Sequence, residues 1–200
     1  MNKIIKDAVV LCGITLIAGL LLGSVYQITK TPRQNQEIER KNQAYQTVFT
    51  DATDFEEKEI DAEQIKKYLE QKGITSGEAT VDEVATAKKQ QNLGYVITVT
   101  EHEGYGGDIT FTVGIKQDGT ICGVSVLTIN ETAGLGMKAK ETSFLNQFKD
   151  KKVEKFTYTK NGATKENEID AISGATITTK AMTKGVNAAI ECFQYLSEES

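Results

Sequence analysis

The chain has no tryptophan, one histidine (His102), one proline (Pro32) and three cysteines among its 200 residues. A single imidazole excludes a histidine-rich metal site, and no metal ligand set is expected. Cys12, Cys122 and Cys192 have neither zinc nor redox spacing, and an odd count is not a disulfide framework. Each reads as a small buried hydrophobe. Cys12 follows Leu11, where a lipid-attachment cysteine would follow a small residue. Positive charge is also scarce: residues 31–200 carry 20 Lys and Arg against 27 Asp and Glu. That balance excludes nucleic acid as a partner, since its recognition needs a basic face.

Charge is missing altogether from residues 8–29, and eleven of the 21 positions from Ala8 to Ile28 are Val, Leu or Ile. A helix over this run is about 30 Å long at ~1.5 Å per residue, matching the hydrocarbon core of a bilayer. Those eleven residues favour insertion by about 3–7 kcal/mol, with no charge opposing them. A cleaved signal peptide is the alternative, but the run exceeds a signal core and no clean small-x-small site follows. The sequence therefore predicts a retained single-span anchor. Lys3 and Lys6 before the run balance Lys30 and Arg33 after it, so loop charge leaves the orientation undecided. Gly19-Leu20-Leu21-Leu22-Gly23 is a small-xxx-small pattern that suits close approach by another membrane helix.

Pro32 is expected to mark the exit from the membrane. Asn35–Phe49 reads as a stalk helix, and Asp61–Gln71 as a short helix stopped by Gly73. Strands follow. Tyr95–Thr100 is one candidate, and Ile109, Phe111, Val113 and Ile115 alternate with Thr110, Thr112 and Gly114 in another. Asp118-Gly119 turns a hairpin into Ile121–Ile129, whose two apolar faces suggest a central or covered position. A helix near Ser143–Phe148 and a strand near Phe156–Thr159 come next. The last helix runs from about Thr178 to Leu196, with Met182, Val186, Ala189, Ile190, Phe193 and Leu196 on one stripe. Antiparallel strands with packed helices define an α+β fold.

The segment from Asp170 to Lys180 carries the chemistry. Ser173-Gly174-Ala175-Thr176 leads small residues with free N–H groups into a helix start, the place where anions and phosphates bind. Lys180 and Lys184 occupy the first two turns, and no acid precedes Glu191. Cations there oppose the helix dipole unless an anion offsets them. A plain N-cap turn explains the same residues without a ligand. Asn161-Gly162-Ala163-Thr164 repeats Gly-Ala-Thr with no helical stripe after it, so the tripeptide alone does not define a site.

Three separated motifs, in order, extend the pattern: Gly104-Tyr105-Gly106-Gly107, Asp118-Gly119 and Glu131-Thr132-Ala133-Gly134-Leu135-Gly136, followed by Asp170–Thr176. Together they resemble the FMN-binding domain of the RnfG and NqrC subunits of ion-translocating electron-transport complexes. The resemblance covers the anchor and roughly residues 80–198. In that family the last Thr of Ser/Thr-Gly-Ala-Thr is joined to FMN through a phosphoester, and Thr176 matches it. The family usually reads His-x-Glu-Thr-Pro-Gly-Leu-Gly at the third motif. Ile129 and Ala133 depart here from the His and the Pro, which removes a polar group and loosens the loop without touching the attachment residue.

The resemblance implies a cofactor site of Thr176, Ser173, Gly174, Ala175, Glu131, Thr132, Gly134, Leu135, Gly136 and Lys180. The glycine loops would let a flat ring lie against backbone. Asp170 would belong to the sequence read by the flavin transferase, or serve as a turn former; Tyr105 would stack on the flavin or cover the hairpin. Residues 1–30 would be the anchor, 31–75 a helical stalk and connecting helix, and 76–200 the FMN-binding domain. The implied function is electron relay by covalent FMN within an Rnf-type ferredoxin:NAD oxidoreductase that moves Na⁺ or H⁺. It has no independent catalysis and no catalytic residue of its own. Its partners are the other membrane subunits and the flavin transferase, with the N-terminus cytoplasmic and the FMN domain outside. An NqrC-type subunit, a stand-alone anchored flavoprotein and a cofactor-free anchored binding domain are the alternatives.

Overall fold

A computed structural model describes residues 3–198, apart from the side chains of residues 28 and 31–34. Contacts divide the chain into two compact units, Met1–Lys41 and Asn42–Ser200. Helix α1 spans Lys3–Val48. Its Lys3–Gln27 stretch is long and apolar enough to cross a membrane. Val9, Leu16, Leu20 and Leu22 all project from it uncovered, an apolar surface too extensive for water. Cys12 is exposed among them rather than buried. Pro32 does not end the helix: the backbone stays helical through it. Loss of one N–H does not outweigh helix-forming residues on both sides.

In the second unit, β1 (Asp54–Lys58), β2 (Ala79–Lys88), β3 (Asn92–Glu101), β4 (Ile109–Lys116) and β5 (Ile121–Ile129) form one sheet in chain order. Every neighbouring pair is antiparallel. Helix α2 (Ala62–Gln71) starts on Asp61, whose carboxylate accepts the N–H groups of Glu63 and Gln64. A 3₁₀ turn at Gly136–Lys140 and α3 (Thr142–Leu145) lead to the parallel pair β6 (Thr157–Thr159) and β7 (Glu168–Asp170). Helix α4 spans Thr176–Glu198.

Alternation along the strands buries both sheet faces. Ile97, Val99, Phe111 and Val113 share a core with Met182, Val186 and Ala189 of α4 and with Ile65 and Leu69 of α2. Val96, Ala85 and Ala87 face the last turn of α1, where Tyr45, Val48 and Phe49 form a second cluster. The sheet core is largely aliphatic with Phe111 at its centre; each such buried side chain contributes about 1.5–3 kcal/mol.

Strand β5 is an edge of the sheet, not a central strand. At its start Ile121 exchanges backbone hydrogen bonds with Lys151 and Asp150, 2.9 and 2.8 Å. Its two faces are covered differently: Ile121 and Val124 join the main core, while Cys122 and Gly123 lie against Val48 at the end of α1, with no sixth strand among the described residues.

Candidate functional site

Strand β7 delivers the chain to α4 through one tight turn. Ala175 N–H donates to Ile172 C=O (2.9 Å), and Ile172 N–H donates to the Thr179 hydroxyl (3.0 Å). That hydroxyl in turn donates to Ala175 C=O (3.0 Å). Gly174 takes φ +76°, a conformation that costs other residues ~1–3 kcal/mol. The result pins Ala175 and Thr179 inside and turns Thr176, the first residue of α4, outward. Among the described residues none hydrogen-bonds the Thr176 hydroxyl. The first N–H groups of α4 also lack intrahelical acceptors, as at every helix start.

Beside this turn lies a cleft of about 500 Å³ lined by Thr176, Ile177, Gly174, Leu135, Glu131 and Tyr105, with Thr132, Gly136, Ala175 and Thr178 completing the wall. Tyr105 is 70% exposed, Ile177 52% and Leu135 42%. These apolar groups rim one mouth, a surface suited to a flat ring. Glu131 is buried beneath them, and its Oε1 has no hydrogen-bond partner.

The loops interlock through glycine. A Cβ on Gly106 would stand 1.8 Å from the Asn130 carbonyl oxygen, and one on Gly136 would stand 2.6 Å from Glu131 Oε2 and 2.7 Å from Thr178 Oγ1. These glycines let one loop press on the next rather than opening a face for a ring. Leu135, Ile177 and Tyr105 supply the ring-sized surface instead.

Seven of the expected site residues meet at the cleft: Thr176, Gly174, Ala175, Glu131, Thr132, Leu135 and Gly136. Ser173 and Gly134 are exposed beside it without lining it. Lys180 points elsewhere, its ammonium 3.3 Å from Glu103. Lys184 lies 2.8 Å from the same carboxylate and also bonds Glu78. The anion inferred from these two lysines is thus supplied by the protein. Burial disfavours the Lys184 charge, but Glu103 and Glu78 outweigh it and raise the ammonium above its ordinary value. Its hydrogen bond holds Glu78 down to about 2. Asp170 accepts the Ala163 N–H while its own N–H donates to Gln147 Oε1 (2.6 Å), tying β7 to the preceding turn.

Ile177 and Thr178 line the cleft without belonging to the expected set. A signal exists for Ile177: it stands at the helix start but off the stripe that α4 buries.

Residues 104–191 match the FMN-binding domain family. Similarity extends well beyond that segment. The chain is 32% identical over 197 residues to the RnfG subunit of the Na(+)-translocating ferredoxin:NAD(+) oxidoreductase complex of Acetobacterium woodii, covering 98% of this chain and 94% of that protein. The chain belongs to the RnfG family. A second RnfG relative, from the proton-translocating ferredoxin:NAD(+) oxidoreductase complex of Clostridium ljungdahlii, is 33% identical, covering 94% of this chain and 89% of that one. The crystal structure of Shewanella oneidensis NqrC has a TM-score of 0.50 at 22% identity, covering 58% of this chain and 59% of that chain. It shares the fold of the RnfG domain, an antiparallel sheet packed by helices.

Proposed function

We propose that this chain is the flavin-bearing electron-relay subunit of a membrane ion-translocating ferredoxin:NAD oxidoreductase, with FMN joined to Thr176 through its phosphate. The observation that carries the reading is the Thr176 hydroxyl. It stands at the cleft mouth, on the first turn of α4, inside the segment that matches the FMN-binding domain. The residues fit the group. Unpaired N–H groups at the start of α4 suit a phosphate, and Gly174 leaves its approach open, with Ser173 beside it as a further donor. Leu135, Ile177 and Tyr105 offer apolar faces to the ring, while Glu131 Oε1 offers a buried acceptor to a ring N–H. Thr132 and Gly136 shape the wall behind it, Gly134 lies beside the cleft, and Lys180 is neutralised by Glu103 rather than facing the phosphate.

Bound FMN supplies reversible electron transfer; the chain anchors it, orients it and sets its surroundings. In this reading the redox role belongs to the assembled complex, and the chain has no independent catalysis. On the same reading, residues 1–30 anchor the chain and 76–200 hold the flavin, while 31–75 link the two and add β1 and α2 to the flavin domain. The N-terminus is cytoplasmic and the flavin domain extracytoplasmic, where a phosphoester prevents loss of a cofactor that is hard to replace. Asp170 stays exposed enough for a flavin transferase to read it together with Ser173–Thr176.

Intact mass after denaturation, with peptide mapping across residues 170–180, tests the attachment. FMN less one water on Thr176, absent from Thr176→Ala, is the expected result. An unmodified mass from cells that contain the flavin transferase overturns the covalent reading. A colourless protein overturns the flavin role as well. Co-purification of other membrane subunits separates the complex from a stand-alone flavoprotein, and a membrane-impermeant thiol reagent on Tyr105→Cys in intact cells tests the orientation.

A further inference from the structure

Glu101 has no part in the site described above, yet it is fully buried at the end of β3. It takes the inward position after Ile97 and Val99, which an apolar residue would normally fill. Helix α4 presses on it: a Cβ on Gly185 would stand 3.4 Å from Glu101 Cβ. Its Oε1 has no partner. Its Oε2 accepts one hydrogen bond, 2.9 Å, from the N–H of Glu103. That N–H belongs to the 102–108 loop, which carries Tyr105 to the cleft rim.

The surroundings make the charge on Glu101 consequential. His102, Glu103 and Asp108 lie on its own loop, with His102 Nδ1 3.0 Å from Asp108. From α4, Lys184 and Lys180 both bind Glu103. From the turn before β2, Glu78 binds Lys184, and its carbonyl accepts the His102 N–H at 2.7 Å. Below the loop, Glu131 stands against Gly104. When Glu101 is neutral, Glu103 alone on this loop claims the two lysines. When Glu101 ionises, a second carboxylate appears two residues away in a site of low polarity, repels Glu103 and competes for Lys184.

We propose that Glu101 is a proton-operated positioning residue for the 102–108 loop, so that its protonation state decides where Tyr105 stands at the cleft. Burial raises this carboxyl to about 7, with the Glu103 N–H bond working in the opposite direction. The switch therefore operates around neutral pH. Its effect on a bound flavin rests on the function proposed above; the movement of the loop does not.

The absence of tryptophan allows a direct test in flavin-free, detergent-solubilised full-length protein, judged flavin-free by its lack of visible absorbance. Tyr105→Trp places one fluorophore on the loop. Its emission maximum should shift between about pH 6 and 8, with the shift lost in Glu101→Gln and retained with a moved midpoint in Glu101→Asp. A shift that survives Glu101→Gln, one that disappears with His102→Gln instead, or no shift at all overturns the proposal. Carboxyl-¹³C NMR of glutamate-labelled wild-type protein needs no variant. One resonance titrating near neutral pH supports the assignment, and titration of every glutamate below about pH 6 overturns it. Because no flavin is present, failure here is separate from failure of the FMN assignment.

Discussion

The chain contains Gly-Ala-Thr twice, twelve residues apart, and the two copies do different things. Both glycines take left-handed backbone, φ +88° at Gly162 and φ +76° at Gly174. In the first copy the loop satisfies itself. Glu168 accepts the Thr164 N–H (2.9 Å), the Thr164 hydroxyl (3.1 Å) and the Lys165 N–H (3.2 Å), while Asp170 takes the Ala163 N–H. In the second copy Ala175 is buried, a 23-residue helix follows, and no local carboxylate hydrogen-bonds Thr176 among the described residues. A turn that donates N–H groups becomes a ligand site only where the protein leaves those groups without an acid of its own.

The largest expected effect is all or none. Thr176→Ala should abolish the FMN mass increment, while Thr164→Ala leaves it intact. An increment lost from both, or from neither, would break the contrast between the two copies.

Backbone substitutions come next. Gly162→Ala meets no atom within 4 Å, so it should cost only the left-handed conformation, about 1 kcal/mol in thermal or denaturant unfolding. Gly174→Ala adds contact with Leu135 Cδ2 at 3.0 Å, and should cost about 2 kcal/mol and lower FMN loading. Equal losses would show that Leu135 yields freely. Gly136→Ala should cost about 1–3 kcal/mol, since the new methyl meets Glu131 and Thr178.

The smallest effect lies in the first copy's carboxylate. Backbone N–H donation from Thr164 holds Glu168 down to about 2. Its folded value lies below its unfolded one, so its contribution is complete above about pH 4.5 and fades as pH falls toward 2. Glu168→Gln should flatten the dependence of Tm on pH across that window. An unchanged slope would mean that the Thr164 turn does not depend on the charge.

Elements whose period is local are legible from the residues themselves. Helix α2 has Asp61 and Gly73 at its ends, the β4–β5 hairpin has Asp118-Gly119, and α4 has an unbroken stripe. Strand β1, Asp-Phe-Glu-Glu-Lys, escapes such reading because it is a polar edge strand with little burial to pattern it. Strand β2 escapes because the register shifts between Val81 and Glu83, which breaks its alternation. Within the site, Thr176 and the Glu131–Gly136 loop are readable from motif order. The pairing of Lys180 and Lys184 with Glu103 and Glu78 is not, because those acids lie 77 to 106 residues away.

Composition and spacing along the chain were enough for the anchor and the α+β class; at the last helix start they left a plain N-cap turn and an anion site open, and Thr176 was singled out by the family resemblance. Hydrophobic length, alternation and backbone donors are local properties, and each leaves its mark within a few residues. Pairing across the sheet was needed for the rest: that β5 is an edge, that Gly106 and Gly136 serve loop packing, that the helix lysines are neutralised from within, and that Glu101 is buried against α4. Those outcomes depend on which distant residues share a few ångströms, and packing of the whole domain decides it.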